Sequence, residues 1–176
     1  MLHPPPPLFS SVLQSQHATV SADATLEDCV ATRAHSCEYK YDVFLSFHGG
    51  DTRRSFTSHF FAALDRKGIR ACRREEGGPK LLKEIERSII AVVVFSKNYA
   101  TSCWCLNELV QIMECRRLFN QQVIPIFYDV SPSEVRKQKG NFAVALLNGP
   151  EDEVKSWRVA LSNAANISGF SLRPDQ

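Results

Sequence analysis

The sequence predicts an α/β domain in which a parallel sheet carries helices on both faces. Three observations predict it. From Tyr41 onward, short apolar runs alternate with stretches whose apolar residues recur at helical spacing, as expected when crossover helices join parallel strands. The run IIAVVVF, Ile89–Phe95, is apolar at every position and so belongs mid-sheet, buried on both sides. The composition, 44% hydrophobic and 23% charged over 176 residues, suits one globular domain with an extension. It excludes a collagen-like or wholly disordered chain.

Tyr41–Phe47, YDVFLSF, is the first strand. Thr52 is placed to cap the next helix, whose apolar positions Phe56, Phe60, Phe61 and Leu64 share one face before Lys67 and Gly68 close it. A short second strand follows at Ile69–Cys72. Gly78 and Pro79 open a helix, proline fitting a first turn where its missing N–H costs nothing, and Leu81, Leu82, Ile85 and Ile89 form its face. After the third strand, Ile89–Phe95, residues 96–104 form a loop into a helix from about Leu106 to Phe119. Val123–Tyr128, VIPIFY, is a fourth strand in which Pro125 removes one ladder donor.

Ser131, Pro132 and Glu134 make a capping box with proline at the first helical position, opening a short helix that Gly140 ends. Phe142–Leu147 is a stub. Beyond Asn148, Gly149 and Pro150 a last helix carries Val154, Trp157, Leu161, Ala164 and Ala165 on its inner face. No fifth strand is legible.

Residues 1–40 open on four prolines, Pro4–Pro7, and scatter Ser, Thr, Ala and Gln without periodicity, which predicts a disordered leader. Residues 1–22 hold no Asp or Glu, as in a plastid transit peptide, but no Arg or Lys either. The domain is expected over 41–172, with 173–176 a tail. The 21 basic and 19 acidic residues leave +2, too even a balance to predict a nucleic-acid partner. Six cysteines fit neither a C-x-x-C zinc pattern nor a dense disulfide framework, so reduced thiols in a cytosolic protein are expected. The longest apolar run is seven residues, far short of the ~20 that a helical membrane span needs.

In an open α/β sheet, ligands sit beyond the carboxyl ends of the strands, where the strand order reverses. With the flavodoxin-like order 2-1-3-4-5, the loop His48, Gly49, Gly50, Asp51, Thr52 faces residues 96–104 across that crevice. Glu108 stands near the start of the following helix, at the edge of a stripe of Leu106, Leu109, Val110 and Met113. On spacing alone it is either a site carboxylate or a solvated glutamate favoured near a helix N-terminus. Gly49 and Gly50 either cradle a phosphate or serve only the turn, since they match neither G-x-G-x-x-G nor a Walker loop. No nucleophilic triad, carboxylate pair or His-rich metal cluster is legible, and no metal is expected.

The strings YDVFLSF-HGGDTR, SFTSHFFAALDRKGI, VVVFSKNYATSCWCLNELVQIMEC and VIPIFYDVSPSEVRKQKGNF, in this order, closely resemble the plant Toll/interleukin receptor (TIR) domain family. The resemblance runs from about Tyr41 to Leu172. It implies a flavodoxin-like five-strand parallel sheet, and a role in plant immune signalling or in hydrolysing NAD+ to nicotinamide and ADP-ribose-type products when self-associated. NAD+ is then substrate, with no cofactor. The family's catalytic glutamate lies in W-C-L-x-E-L, here Trp104 to Leu109, which puts that role on Glu108. Ser102 and Trp104 would shape the pocket, with His48, Gly49 and Gly50 toward the phosphates. Ser58 and His59 match the family's Ser-His pair for self-association, to which Trp157 and its neighbours would add. Other TIR domains are the implied partners, and the cytoplasm, with the nucleus as a second site, the implied compartment.

Three departures keep a second reading open. His48 and Gly50 stand where the family has Arg and an acidic residue. The stretch from Arg70 to Gly78 is short, as is that between Phe142 and Glu153, so a helix covering the sheet is expected to be lost. A TIR-only or truncated member is expected, and a catalytically impaired module that binds or modulates other TIR proteins is the alternative.

Overall fold

Five parallel strands lie in the order β2-β1-β3-β4-β5 in a computed structural model that describes residues 39–73, 79–147 and 149–173. Of the leader expected over 1–40, residues 1–38 lie outside the described residues, as do 74–78 of the loop expected to be short and 174–176 of the tail. Strand β1 is Tyr41–Phe47, β2 Ala71–Cys72, β3 Ser88–Phe95, β4 Gln122–Tyr128 and β5 Phe170–Leu172. Strand β3 pairs with β1 on one side and β4 on the other, and Ala91 to Phe95 are all sealed from solvent. Its unbroken apolar run exists because neither face meets water.

Helix α1, Gly49–Thr52, begins immediately after β1 and passes through a π-helical turn, Arg53–Thr57, into α2, Ser58–Arg66. The helix therefore starts at Gly49, ahead of the cap expected at Thr52. Thr52 instead turns inward: its hydroxyl donates to the His48 carbonyl at 3.3 Å and accepts from Thr57 at 2.7 Å. The two threonines are five apart, the repeat of a π turn, so the wider turn lets two buried hydroxyls satisfy each other.

Helix α3 is Pro79–Glu86, with Leu81 and Ile85 buried, while Ile89 belongs to β3. Helix α4, Cys103–Phe119, starts three residues before the expected Leu106 because Ser102 caps it, accepting from Cys105 N at 3.3 Å. It ends on Asn120 in the left-handed region, φ 53°. Helix α5, Pro132–Arg136, has the predicted capping box: Glu134 N donates to Ser131 Oγ at 3.2 Å and Ser131 N to Glu134 Oε2 at 2.7 Å. The backbone bond from Ser131 holds the Glu134 carboxyl below its usual range.

The expected stub is a helix, α6, Asn141–Leu146, whose Phe142 and Leu146 are buried, so this face of the domain keeps a cover. Val144 and Leu147 remain 62% and 74% exposed. Helix α7, Glu151–Ala165, buries Trp157, Leu161 and Ala164. The strand missing from the sequence reading is β5, where Ile126↔Phe170 and Tyr128↔Leu172 pair.

Candidate functional site

Ser46 and Phe47, the last two residues of β1, point to opposite faces of the sheet, as consecutive strand residues must. Phe47 meets Phe61 of α2 edge to face, with ring centroids 6.3 Å apart, whereas Ser46 meets Glu108 of α4. Helices α2 and α4 thus leave the carboxyl end of the sheet on opposite sides, the reversal of order that opens a crevice between the loops after β1 and β3.

Glu108 lies in that region but is only 2% exposed, which removes the solvated-glutamate alternative. Its Oε2 accepts from Ser46 Oγ at 2.8 Å. Ser46 Oγ in turn lies 2.9 Å from Tyr99 Oη, and Tyr99 donates to the Cys105 carbonyl at 3.0 Å. Cys105 Sγ donates to Phe47 O at 3.4 Å, tying the first turn of α4 to the end of β1. On β2, burial first, with Glu84 and Glu108 adding their negative charge, pushes the Cys72 thiol up to about 11. Cys72 is therefore neutral at ordinary pH.

The two loops expected to face each other do meet, through Asp51. Its carboxylate accepts from Asn98 N at 2.8 Å and Asn98 Nδ2 at 2.9 Å. Burial opposes the charge, yet polar groups of Ser96 and Asn98 together with His48 outweigh it and hold the carboxyl below its usual range. His48 Nδ1 stands 3.4 Å from Asp51 Oδ1, and its ring lies over Gly50, where a Cβ would come within 3.0 Å of it. Gly49 and Gly50 form the first turn of α1. Ser102 uses its hydroxyl as the α4 cap, and Trp104 is half exposed at 50%.

Sequence reasoning missed the groove on the α2 side. It holds about 570 Å³ and is lined by Phe47, Arg53, Ser58, Phe61, Asp65 and Arg73 among others. Arg73 pairs with Asp65 and lies 5.0 Å over the Phe61 ring, leaving Arg53 as an exposed cation on the groove. Two further grooves lie between α4 and α7 and beside α6, and Glu108 lines none of the three. The missed signal for Ser46 was a hydroxyl following the apolar run of Val43, Phe44 and Leu45 near the end of the strand.

Ser58 and His59 are exposed on α2, and the Ser58 hydroxyl donates back to the Arg53 carbonyl. Trp157 does not join them at the surface. It is 2% exposed, and its Nε1 donates to Asn107 Oδ1 at 2.8 Å, because an indole buried between α7 and α4 needs an internal acceptor. Its assignment as a self-association contact is corrected to a core role; Val159, 60% exposed, is an outward position of α7. Among the described residues no three His, Cys, Asp or Glu side chains converge to hold a metal, and no helix is long and apolar enough to cross a membrane.

Comparison with known proteins follows the same boundaries. The chain is 50% identical over 153 residues to the TMV resistance protein N of Nicotiana glutinosa, covering 80% of this chain and 13% of that protein. It is 52% identical over 145 residues to the disease resistance protein RPV1 of Vitis rotundifolia, covering 77% of this chain and 10% of that one. The chain thus spans roughly a tenth of the length of these relatives. The TIR domains of the activated Roq1 resistosome, which directly recognises the pathogen effector XopQ, superpose with a TM-score of 0.70 at 48% identity, over 76% of this chain and 88% of that one. The TIR domain family model matches residues 40–174, and with relatives at this level of identity the chain belongs to the TIR domain family.

Proposed function

We propose that this chain is an immune-signalling TIR domain that, when self-associated, cleaves NAD+ to nicotinamide and ADP-ribose-type products. The signalling half rests on the resistance proteins and resistosome domains that the chain resembles. The chemical half rests on one observation, the carboxylate of Glu108 held by Ser46 at the carboxyl end of β1. Nicotinamide leaves from a cationic glycosidic nitrogen. The C1′–N bond breaks, its electron pair neutralises the ring, and no general acid is required. Water then adds to C1′ and gives one proton to solvent. The charge that develops at the ribose is positive, and the negative Glu108 opposes it.

On the other face of β1, Arg53 supplies a cation for a pyrophosphate, in the way guanidinium groups commonly hold phosphate oxygens. His48, Gly49, Gly50, Ser102 and Trp104 border the crevice between. NAD+ is substrate rather than cofactor, other TIR domains are the partners, and the cytoplasm, with the nucleus, is the compartment.

A second reading, a catalytically impaired module that binds or modulates other TIR proteins, is favoured by the 2% exposure of Glu108. Nicotinamide release from NAD+ by scaffold-clustered protein, wild type beside Glu108→Ala, separates them. Release lost only in the variant supports the hydrolase. Equal release from both removes Glu108 from the chemistry, and none from either, with clustering verified, favours the module.

A further inference from the structure

We infer that Ser46 and Tyr99 form a hydroxyl relay that positions the Glu108 carboxylate and holds it in its charged form. The inference deepens the hydrolase reading and rests on it for its catalytic consequence. Burial to 2% exposure works against a charged carboxylate, and donors to the charged form are what offset it. Ser46 has one proton, which goes to Glu108 Oε2 at 2.8 Å when that carboxylate is charged. Its 2.9 Å contact with Tyr99 therefore requires Tyr99 to donate to Ser46. The phenol proton is then shared with the Cys105 carbonyl 3.0 Å away, a group that also accepts from within α4. With Glu108 charged the order is Tyr99 to Ser46 to Glu108, each bond polarising the next; a protonated Glu108 would reverse it, donating to Ser46, and the titration below distinguishes the two.

Every member is rigidly placed. Ser46 and Tyr99 are each 0% exposed, Ser46 paired within β1 and β3 and Tyr99 set in the 3₁₀ turn Tyr99–Thr101 with its ring 5.1 Å from Phe95. Titratable groups near Glu108 include Tyr99 itself, Cys105 one turn earlier on α4, and Cys72 on β2, whose charge Glu108 feels only above about pH 11; Glu84, on the neighbouring α3, acts on that same thiol. Ser46 and Tyr99 are positioning residues, since they act through Glu108.

The test reads Glu108 directly. In full-length protein with ¹³C-labelled glutamate, the Glu108 carboxyl resonance is assigned by its loss in Glu108→Gln and titrated in wild type, Ser46→Ala, Ser46→Thr and Tyr99→Phe. Ser46→Ala is expected to raise the midpoint by about one pH unit, tenfold in the protonation equilibrium, and Tyr99→Phe by less. Ser46→Thr, which keeps the hydroxyl, is expected to stay near wild type. Clustered Ser46→Ala should also lose roughly tenfold in kcat for nicotinamide release with little change in KM. Midpoints unchanged in both Ser46→Ala and Tyr99→Phe overturn the relay, and Tyr99→Phe decides alone if Ser46→Ala does not fold. Shifted midpoints in a wild-type background that cleaves no NAD+ overturn the hydrolase reading and leave the relay standing.

Discussion

Glu108 is where rate and stability separate. Glu108→Gln keeps the volume and an acceptor for Ser46 while removing a charge that burial disfavours, so thermal unfolding is expected to stay close to wild type or rise. Nicotinamide release is expected to fall about 100-fold or more, the usual scale for losing a transition-state charge partner. Unfolding curves beside release assays check both halves. Asp51 behaves in the opposite sense. Its folded-state pKa is lowered, so its stabilising contribution is fully present above the unfolded value of about 3.9 and is lost as pH falls through the lower folded value. Asp51→Ala is expected to cost about 1–3 kcal/mol at pH 7, two donors of Asn98 losing their acceptor, and urea unfolding should show that gap narrowing below about pH 4. Asp51 and Glu108 also mark what a sequence conveys at this scale. Both were visible as acids near the right loops, but a partner 47 or 62 positions away is fixed only by strand pairing. For the same reason the burial of Trp157, legible from its helical face, outweighed its assignment to an interface.

At the scale of elements, local chemistry was legible and pairing at a distance was not. The α5 capping box and the β3 run depend on neighbouring residues, and both stand where the sequence put them. Strand β5 is three residues long and has no periodicity of its own; only its pairing to Ile126–Tyr128 makes it a strand. Pro125 explains where that pairing begins. A Cβ on Gly169 would lie 2.2 Å from the Pro125 carbonyl oxygen, so that carbonyl faces the β5 side. The N–H that proline lacks faces the same side, where β5 has not yet started, and no ladder bond is lost. Gly169→Ala is expected to push β5 off this edge and lower stability by about 1–3 kcal/mol, measured as a reduced urea midpoint. A midpoint equal to wild type would mean the close approach at Pro125 relaxes freely. On α2, Ser58 and His59 leave the core to Phe61 and Leu64, so replacing both with Ala should preserve the circular dichroism spectrum.

For the whole molecule, the decisive fact is that the carboxylate proposed to act on NAD+ is sealed in the single chain. Substrate reaches it only if the first turns of α4 or the loops around the crevice rearrange, and Asp51 with Asn98 ties those loops together in the closed arrangement. A closed chain populated far above an open one contributes little activity, and apparent affinity falls by the open fraction. Self-association through exposed α2 would favour the open form only by binding it better than the closed one. Nicotinamide release per protomer is therefore expected to rise more steeply than linearly with protein concentration, then level off once assembly is complete. Ser58→Ala with His59→Ala should displace that curve to higher concentration without lowering its plateau, because the Ser58 hydroxyl is engaged by the Arg53 carbonyl and His59 lies outside the groove lining. The measurement is release per protomer across a concentration series, with light scattering on the same samples. A rate per protomer independent of concentration would show the single chain to be competent. A lowered plateau at full assembly would place Ser58 or His59 in the chemistry rather than in the contact.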